Sequence, residues 1–295
     1  MRIAVTGVSG QVVTSLVERG NGQGHQVVAV GRPELDLTDE STILNALQSP
    51  RPDVIVSAAA YTAVDKAEQE ADLAQRVNGV GAGLVADAAA ELGVPLVHLS
   101  TDYVFDGTLD RPYIESDPAG PTGVYGLSKL AGERAVLGAH GNSAILRVAW
   151  VYSPFGANFV KTMLRLAGDR DEVSVVADQV GNPTSALAIA DGILKVATNL
   201  LSDSSSRLRG IFHMTASGEA SWADFAETVF ATSAARGGPS AAVRRIDTAA
   251  YPTLARRPAN SRLNCARLAA AHGVALPAWQ TSLAEVIDRL ILTAH

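Results

Sequence analysis

Cys265 is the only cysteine in a chain of 295 residues, so no intrachain disulfide can form, which suits a reducing compartment. Its thiol reads as a small apolar side chain packed in the interior and not as a redox centre. Long hydrophobic runs are missing too: 47% of residues are hydrophobic and mean hydropathy is +0.14, yet no stretch approaches the roughly 18 to 20 apolar residues of a membrane helix. Met1 to Thr6 is apolar but shorter than the about 7 to 15 residues of a signal-peptide core, and a cytoplasmic protein that contacts no membrane is expected. No basic run accompanies the net charge of −6, so the electrostatic footprint of a nucleic-acid binder is absent. The histidines His25, His98, His140, His213, His272 and His295 form no pair at metal-ligand spacing, and no zinc or other metal site is expected. No internal repeat is evident.

What is present is an alternation of short β-branched runs with longer stretches of helical period, the pattern of a parallel sheet covered by helices on both faces. Strands are predicted at Ile3 to Thr6, Val27 to Val30, Val54 to Ser57, Leu96 to Ser100 and Ala144 to Val148, with helices starting near Gly10, Asp39, Glu70 and Thr122. This is an α/β, doubly wound parallel sheet of Rossmann type. Beyond Trp150 the rhythm loosens, with turn signals at Ser153 to Gly156 and Gly181 to Pro183 and a solvated polar run from Ser202 to Ser206. Two helical stretches, Trp222 to Ala235 and Leu283 to Leu290, follow. We expect residues 1–150 with 184–214 to form a dinucleotide-binding domain. Residues 151–183 with 215–295 should form a smaller lobe over its ligand edge.

Directly after the first strand comes Thr6-Gly7-Val8-Ser9-Gly10-Gln11-Val12-Val13. Gly7 and Gly10 let backbone approach a pyrophosphate at a helix amino terminus, although a glycine turn can also be purely structural. Val13 replaces the third glycine of the usual fingerprint, which puts close packing of helix on strand in question. The second strand ends in Val30-Gly31-Arg32 and offers no carboxylate for a ribose 2′-hydroxyl. A guanidinium there can pair bidentately with a 2′-phosphate, and NADPH preference is predicted, while an ordinary surface arginine is the competing reading. Asp36-Leu37 is placed to frame the adenine, and Ala58-Ala59-Ala60-Tyr61-Thr62 supplies small residues beside a ribose or nicotinamide.

Tyr125-Gly126-Leu127-Ser128-Lys129 sets Tyr125 and Lys129 four residues apart on one helix face. A phenol near pKa 10 exchanges protons poorly at neutral pH, and an adjacent ammonium together with oxidised nicotinamide is expected to stabilise phenolate and bring it down. By itself the spacing is common; beside a glycine turn and a hydroxyl after the fourth strand it gains meaning. That hydroxyl is Thr101, in Ser100-Thr101-Asp102-Tyr103-Val104-Phe105-Asp106-Gly107, placed to share with Tyr125 the charge developing on a carbonyl oxygen. The expected step is hydride delivery to a carbonyl carbon while Tyr125 protonates the oxygen.

With these residues the chain resembles the extended short-chain dehydrogenases and, among them, the dTDP-4-dehydrorhamnose reductases, nearly end to end. Its marks are Ala58 to Glu68, Ser100 to Gly107, Tyr125 to Glu133 and Arg147-Val148-Ala149-Trp150-Val151-Tyr152, and the more specific later ones are Asn158-Phe159-Val160-Lys161, Asp178-Gln179-Val180-Gly181-Asn182-Pro183-Thr184 and Arg257-Pro258-Ala259-Asn260-Ser261-Arg262-Leu263. The resemblance implies reduction of the 4-keto group of a dTDP-6-deoxysugar with NADPH, or NADH as a second option. It implies catalysis by Thr101, Tyr125 and Lys129, and cofactor contacts from Gly10, Gln11, Val12, Asp36, Leu37, Ala60, Tyr61, Thr62 and Leu99. Sugar contacts are implied for Thr101, Asp102 and Trp150, the last of which reads equally as a core or interface indole. Some members bridge subunits through magnesium with a glutamate early in the first helix; Ser15 stands there, so a monomer or weak homodimer is expected. A 4,6-dehydratase is disfavoured because Tyr103 occupies the place of its acid. Two alternatives stand: a 4-keto reductase for another dTDP-deoxysugar, and a non-catalytic NADP-binding regulatory subunit like that of methionine adenosyltransferase.

Overall fold

The computed structural model describes residues 1–292, and His295 lies outside them. Five strands, β1 (Arg2–Thr6), β2 (Gln26–Val30), β3 (Val54–Ser57), β4 (Leu96–Thr101) and β5 (Ser143–Val148), follow the predicted ones to within a residue or two. The sequence pattern does not predict a sixth strand, Gly210–His213, which is four residues long and has no alternation to mark it. The sheet runs in the order Gly210–His213, β5, β4, β3, β1, β2, and all its pairings are parallel. The order reverses about β1, so a crevice opens beyond the carboxyl ends of β1 and β3, where ligands of such sheets bind.

Strand periodicity sends alternate side chains to opposite faces. Ile3 and Val5 of β1 enter one apolar core with Leu16 of α1 (Gln11–Gly22) and Ile189, Ile193 and Val196 of a long helix, Ala186–Ser202. Ala4 turns to the other core, with Ile43 and Leu47 of α2 (Glu40–Gln48). Leu16 is wholly buried, and its truncation to Ala should cost about 2–5 kcal/mol. Asp39 caps α2 by accepting from the Ser41 N–H at 3.1 Å, and this side-chain cap is why the sequence marks that helix start. The helix predicted from Glu70 is more broken than its pattern suggests: α3 (Val64–Ala67) precedes it, α4 (Ala71–Gln75) passes into a π-helical turn at Arg76–Val80, and α5 (Gly81–Glu91) continues. α6 (Val124–Ala139) starts two residues after the predicted Thr122, its first N–H bonded to Glu68 Oε1 at 2.9 Å.

A separate apolar core joins Tyr152, Val160 of α7 (Phe159–Ala167), Phe225 and Val229 of the helix Trp222–Ala234, and Leu283 and Ile287 of the helix Trp279–Leu292. The strands Glu172–Val176 and Ala242–Ile246, which the sequence reading does not assign, pair in parallel beside it. Among the described residues no helix is long and apolar enough to cross a membrane. Cys265 is half-buried and its Sγ accepts from the Thr215 N–H at 3.3 Å.

Candidate active site

A cleft of about 980 Å3 opens at the crevice, and each residue proposed from sequence for cofactor, substrate or catalysis lines it. Gly7 adopts φ +96°, a region that L side chains rarely enter, and its N–H bonds to Val30 O at 2.7 Å. Gly10 is the amino-terminal cap of α1 and supplies no side-chain cap, and the first turn holds no acidic residue. Its N–H groups and partial positive charge are therefore suited to phosphate. The packing questioned at Val13 is intact: Val13 is buried, with Cγ2 about 3.4 Å from where a Gly7 side chain would begin. Ser15 is buried and donates to Gln11 O at 2.8 Å within the helix.

Thr6 draws the third-strand loop alongside this turn, its Oγ1 accepting from the Ala58 and Ala59 N–H groups at 3.0 Å each. Asn78 then holds Tyr61 by its backbone, accepting from Tyr61 N at 2.8 Å and donating to Tyr61 O and Ser128 Oγ, both at 3.0 Å. Asn78 sits in the π-helical turn, a distortion with no signature in the sequence pattern, so it went unnoticed there. Arg32 is exposed at the cleft rim. Asp36 accepts from Thr38 N at 2.9 Å and Thr38 Oγ1 at 2.8 Å, which with nearby Arg32 and Arg76 holds its carboxyl below the usual range. Leu37 beside it is buried. The turn, the unacidified helix end and the rim arginine together fit a dinucleotide phosphate.

At the end of β4, Thr101 Oγ1 donates to Asp102 Oδ1 at 3.0 Å and accepts from Tyr103 N at 3.2 Å. Burial raises the Asp102 carboxyl to about 6. Lys129 is buried, donates to Leu99 O at 2.7 Å, and is lowered to about 8 by desolvation, with Glu133 acting against the fall. Tyr125 lies one turn before Lys129 on α6. Desolvation pushes its phenol up to about 12, the charge of Asp102 adds to this, and only the Thr101 hydroxyl works against it. Lys129 is engaged with the Leu99 carbonyl instead of the phenol, so the protein's own groups favour protonated Tyr125. Tyr103 packs edge-on to Tyr125 with ring centroids 5.4 Å apart.

Behind this face lies an ion pair that sequence reading missed. Glu133 and Arg147 are 1% and 3% exposed and meet as a fork, Nε to Oε1 at 2.8 Å and Nη2 to Oε2 at 2.6 Å. Ser100 Oγ also donates to Glu133 Oε1, at 2.5 Å. Glu133 lies one turn beyond Lys129 on α6, and Ser100 and Arg147 are register partners across β4 and β5. Glu133 therefore joins the helix carrying Tyr125 and Lys129 to β5 through Arg147 and, through Ser100, to the strand carrying Thr101.

The far wall is aromatic. Trp150, half-buried, stacks on Trp222 with centroids 3.6 Å apart and planes 6° from parallel. Phe159 leans on Trp222 at 4.6 Å. Trp222 and Phe159 received no site role from the sequence, where an aromatic at a helix start has no distinguishing mark.

The family model described as the RmlD substrate binding domain matches residues 1–292. A protein named dTDP-4-dehydrorhamnose reductase from Sinorhizobium fredii is 51% identical over 292 residues, covering 99% of this chain and 98% of that one. A crystal structure of a dTDP-4-dehydrorhamnose reductase from Clostridium acetobutylicum superposes with a TM-score of 0.91 at 36% identity, covering 98% and 99% of the two chains. One from Bacillus anthracis, in complex with NADP, gives a TM-score of 0.90 at 35% identity over the same shares.

Proposed function

The chain belongs to the RmlD substrate-binding-domain family, and on that premise we propose that it is the NADPH-dependent reductase of the 4-keto group of dTDP-4-dehydro-L-rhamnose, yielding dTDP-L-rhamnose. The observation that carries this is the convergence of Thr101, Tyr125 and Lys129 on one cleft with the glycine turn of α1. NADPH, or NADH as the second cofactor, supplies the hydride when bound. Gly7, Gly10, Gln11 and Val12 hold its pyrophosphate, Arg32 its 2′-phosphate, Asp36 and Leu37 its adenine end, and Ala60, Tyr61, Thr62, Leu99, Tyr125 and Lys129 its nicotinamide half.

Thr101 and Tyr125 hydrogen-bond the sugar carbonyl oxygen. As charge develops there Tyr125 gives up its proton, a role served by a phenol that stays protonated at working pH. Lys129, charged below about pH 8, stabilises the phenolate that results. Asp102 and Trp150 face the sugar. The division into residues 1–150 with 184–214 and residues 151–183 with 215–295 belongs to the same reading and is supported by most of the two apolar cores, while Leu268 and Val274 join the first core and Leu187 the second. So does action in the cytoplasm as a monomer or weak homodimer, with a nucleotide sugar as partner and no nucleic acid.

The test follows NADPH absorbance with the purified protein and dTDP-4-keto-6-deoxyglucose, with and without the 3,5-epimerase. Oxidation that requires the epimerase supports the L-rhamnose reaction. Oxidation without it assigns another dTDP-deoxysugar, and silence in both favours a non-catalytic NADP-binding subunit.

A further inference from the structure

Trp150 sits in a conformation that a bulky residue adopts only when its surroundings impose it. Its φ is +48°, and among the described residues Arg51 is the one other non-glycine residue with positive φ. Its environment is built to suit. Its carbonyl accepts from Thr184 N at 3.1 Å. Gly181 passes so close beneath the indole that a side chain there would begin 2.5 Å from Trp150 Cε2. The opposite constraint is Trp222, whose ring covers Trp150 in a nearly parallel stack. Trp222 is itself anchored: it follows Ser221, which caps the helix Trp222–Ala234 in a reciprocal box with Asp224, and the Ala220–Ser221 backbone pairs with Val180–Gly181. One ladder therefore fixes both Gly181 and Trp222 about Trp150. The stack is not ordinary core, since both indoles are half-buried and face the cleft, whereas Trp279 is 3% exposed.

We propose that Trp222 is a substrate-positioning residue: stacked on Trp150, it fixes the indole wall of the sugar subsite, and it takes no part in holding the dinucleotide. This rests on the reductase reading above. Stacked rings are rigid and present an apolar face, which suits the C–H face of a deoxysugar pyranose. Trp222 meets the rings of Trp150, Phe159 and Phe225, whereas the glycine turn and Arg32 follow the ends of β1 and β2.

The experiment compares Trp222→Leu and Trp222→Phe with the wild type, measuring kcat and both KM values with NADPH and the epimerised dTDP-keto-sugar. Near-ultraviolet and far-ultraviolet circular dichroism reads the coupled indole transitions. Trp222→Leu should abolish the coupled signal and lower kcat/KM for the sugar about 2- to 10-fold, the magnitude of one aromatic stacking contact, with the NADPH KM unchanged. Trp222→Phe should restore most of the sugar kcat/KM. Unchanged sugar kinetics in Trp222→Leu overturn the proposal, as does a parallel rise in both KM values, which marks general damage, or a failure of Phe to rescue. A wild type that reduces no dTDP-keto-sugar overturns the reductase reading and this inference with it; an active wild type with an indifferent Trp222→Leu overturns this inference alone.

Discussion

As the proposed acid, Tyr125 loses its function if its hydroxyl is removed, while the glycine turn proposed for the pyrophosphate lies on another element. Tyr125→Phe should lower kcat about 10²- to 10⁴-fold and change the NADPH dissociation constant far less, since one of many cofactor contacts is lost; retention of most activity would sink its role as proton donor. Asp102 illustrates a different tension. Its folded-state pKa is raised from 3.8 to about 6 by burial, so the folded chain binds more protons than the unfolded one between about pH 4 and 6, and stability falls as pH rises through that window. A rise of that size costs the folded, ionised form roughly 3 kcal/mol. Asp102→Asn should therefore raise the melting temperature at pH 7.5, show little gain near pH 4, and lose sugar turnover. An equal gain at both pH values contradicts this account. Arg32 is exposed at the rim, and if it reads the 2′-phosphate by charge-assisted hydrogen bonds, Arg32→Ala should cut kcat/KM for NADPH about 10-fold or more. With NADH the value should barely move, and matched losses with both cofactors would make Arg32 an ordinary surface residue.

α6 aligns Tyr125, Lys129 and Glu133 at successive four-residue steps on one face. The groups about Lys129 are Glu133 and Tyr125 on the same helix, the Leu99 carbonyl, and His98 on β4, which is kept neutral by burial. Because Tyr125 titrates near 12 and Lys129 near 8, activity should decline above about pH 8 through loss of the lysine charge. Glu133→Gln removes the charge that opposes this loss, so the alkaline limb of kcat should move to lower pH; a limb that stays in place excludes the electrostatic role. The same change leaves the Arg147 guanidinium buried without its counter-charge, and breaking such a pair costs about 3–5 kcal/mol, readable as a lower urea midpoint.

The first part of α6 was legible because four-residue spacing is local, whereas Glu133 acquires its meaning only from Arg147 and Ser100, which sheet register brings to it. The same contrast holds for the fold. β1 to β5 are mainly apolar, β-branched runs and declare themselves, while the short Gly210–His213 is set by the neighbour it pairs with. Asn78 lay unseen because a π-helical turn leaves no periodic trace.

The molecule as a whole sets its cleft between the glycine turn and the aromatic wall, and polar side chains link the two. Gln11, at the start of α1, accepts through Oε1 from Ser153 Oγ at 2.8 Å and Asn158 Nδ2 at 3.1 Å. Asn158 in turn caps α7, accepting from Lys161 N at 3.2 Å, and α7 opens with Phe159, which leans on Trp222. A continuous chain of contacts thus runs from the glycine turn to the aromatic wall. Coupling between two binding sites is reciprocal, so the factor by which NADP+ changes the affinity for dTDP-L-rhamnose must equal the factor in the other direction. Calorimetric titration of each ligand with the other absent or saturating measures that factor twice. In the wild type it should exceed unity, and Gln11→Ala should bring it toward one while α1 continues to bind NADP+ through backbone N–H groups. If the factor survives in Gln11→Ala, the sites communicate by another route, such as direct contact between the two ligands in the shared cleft.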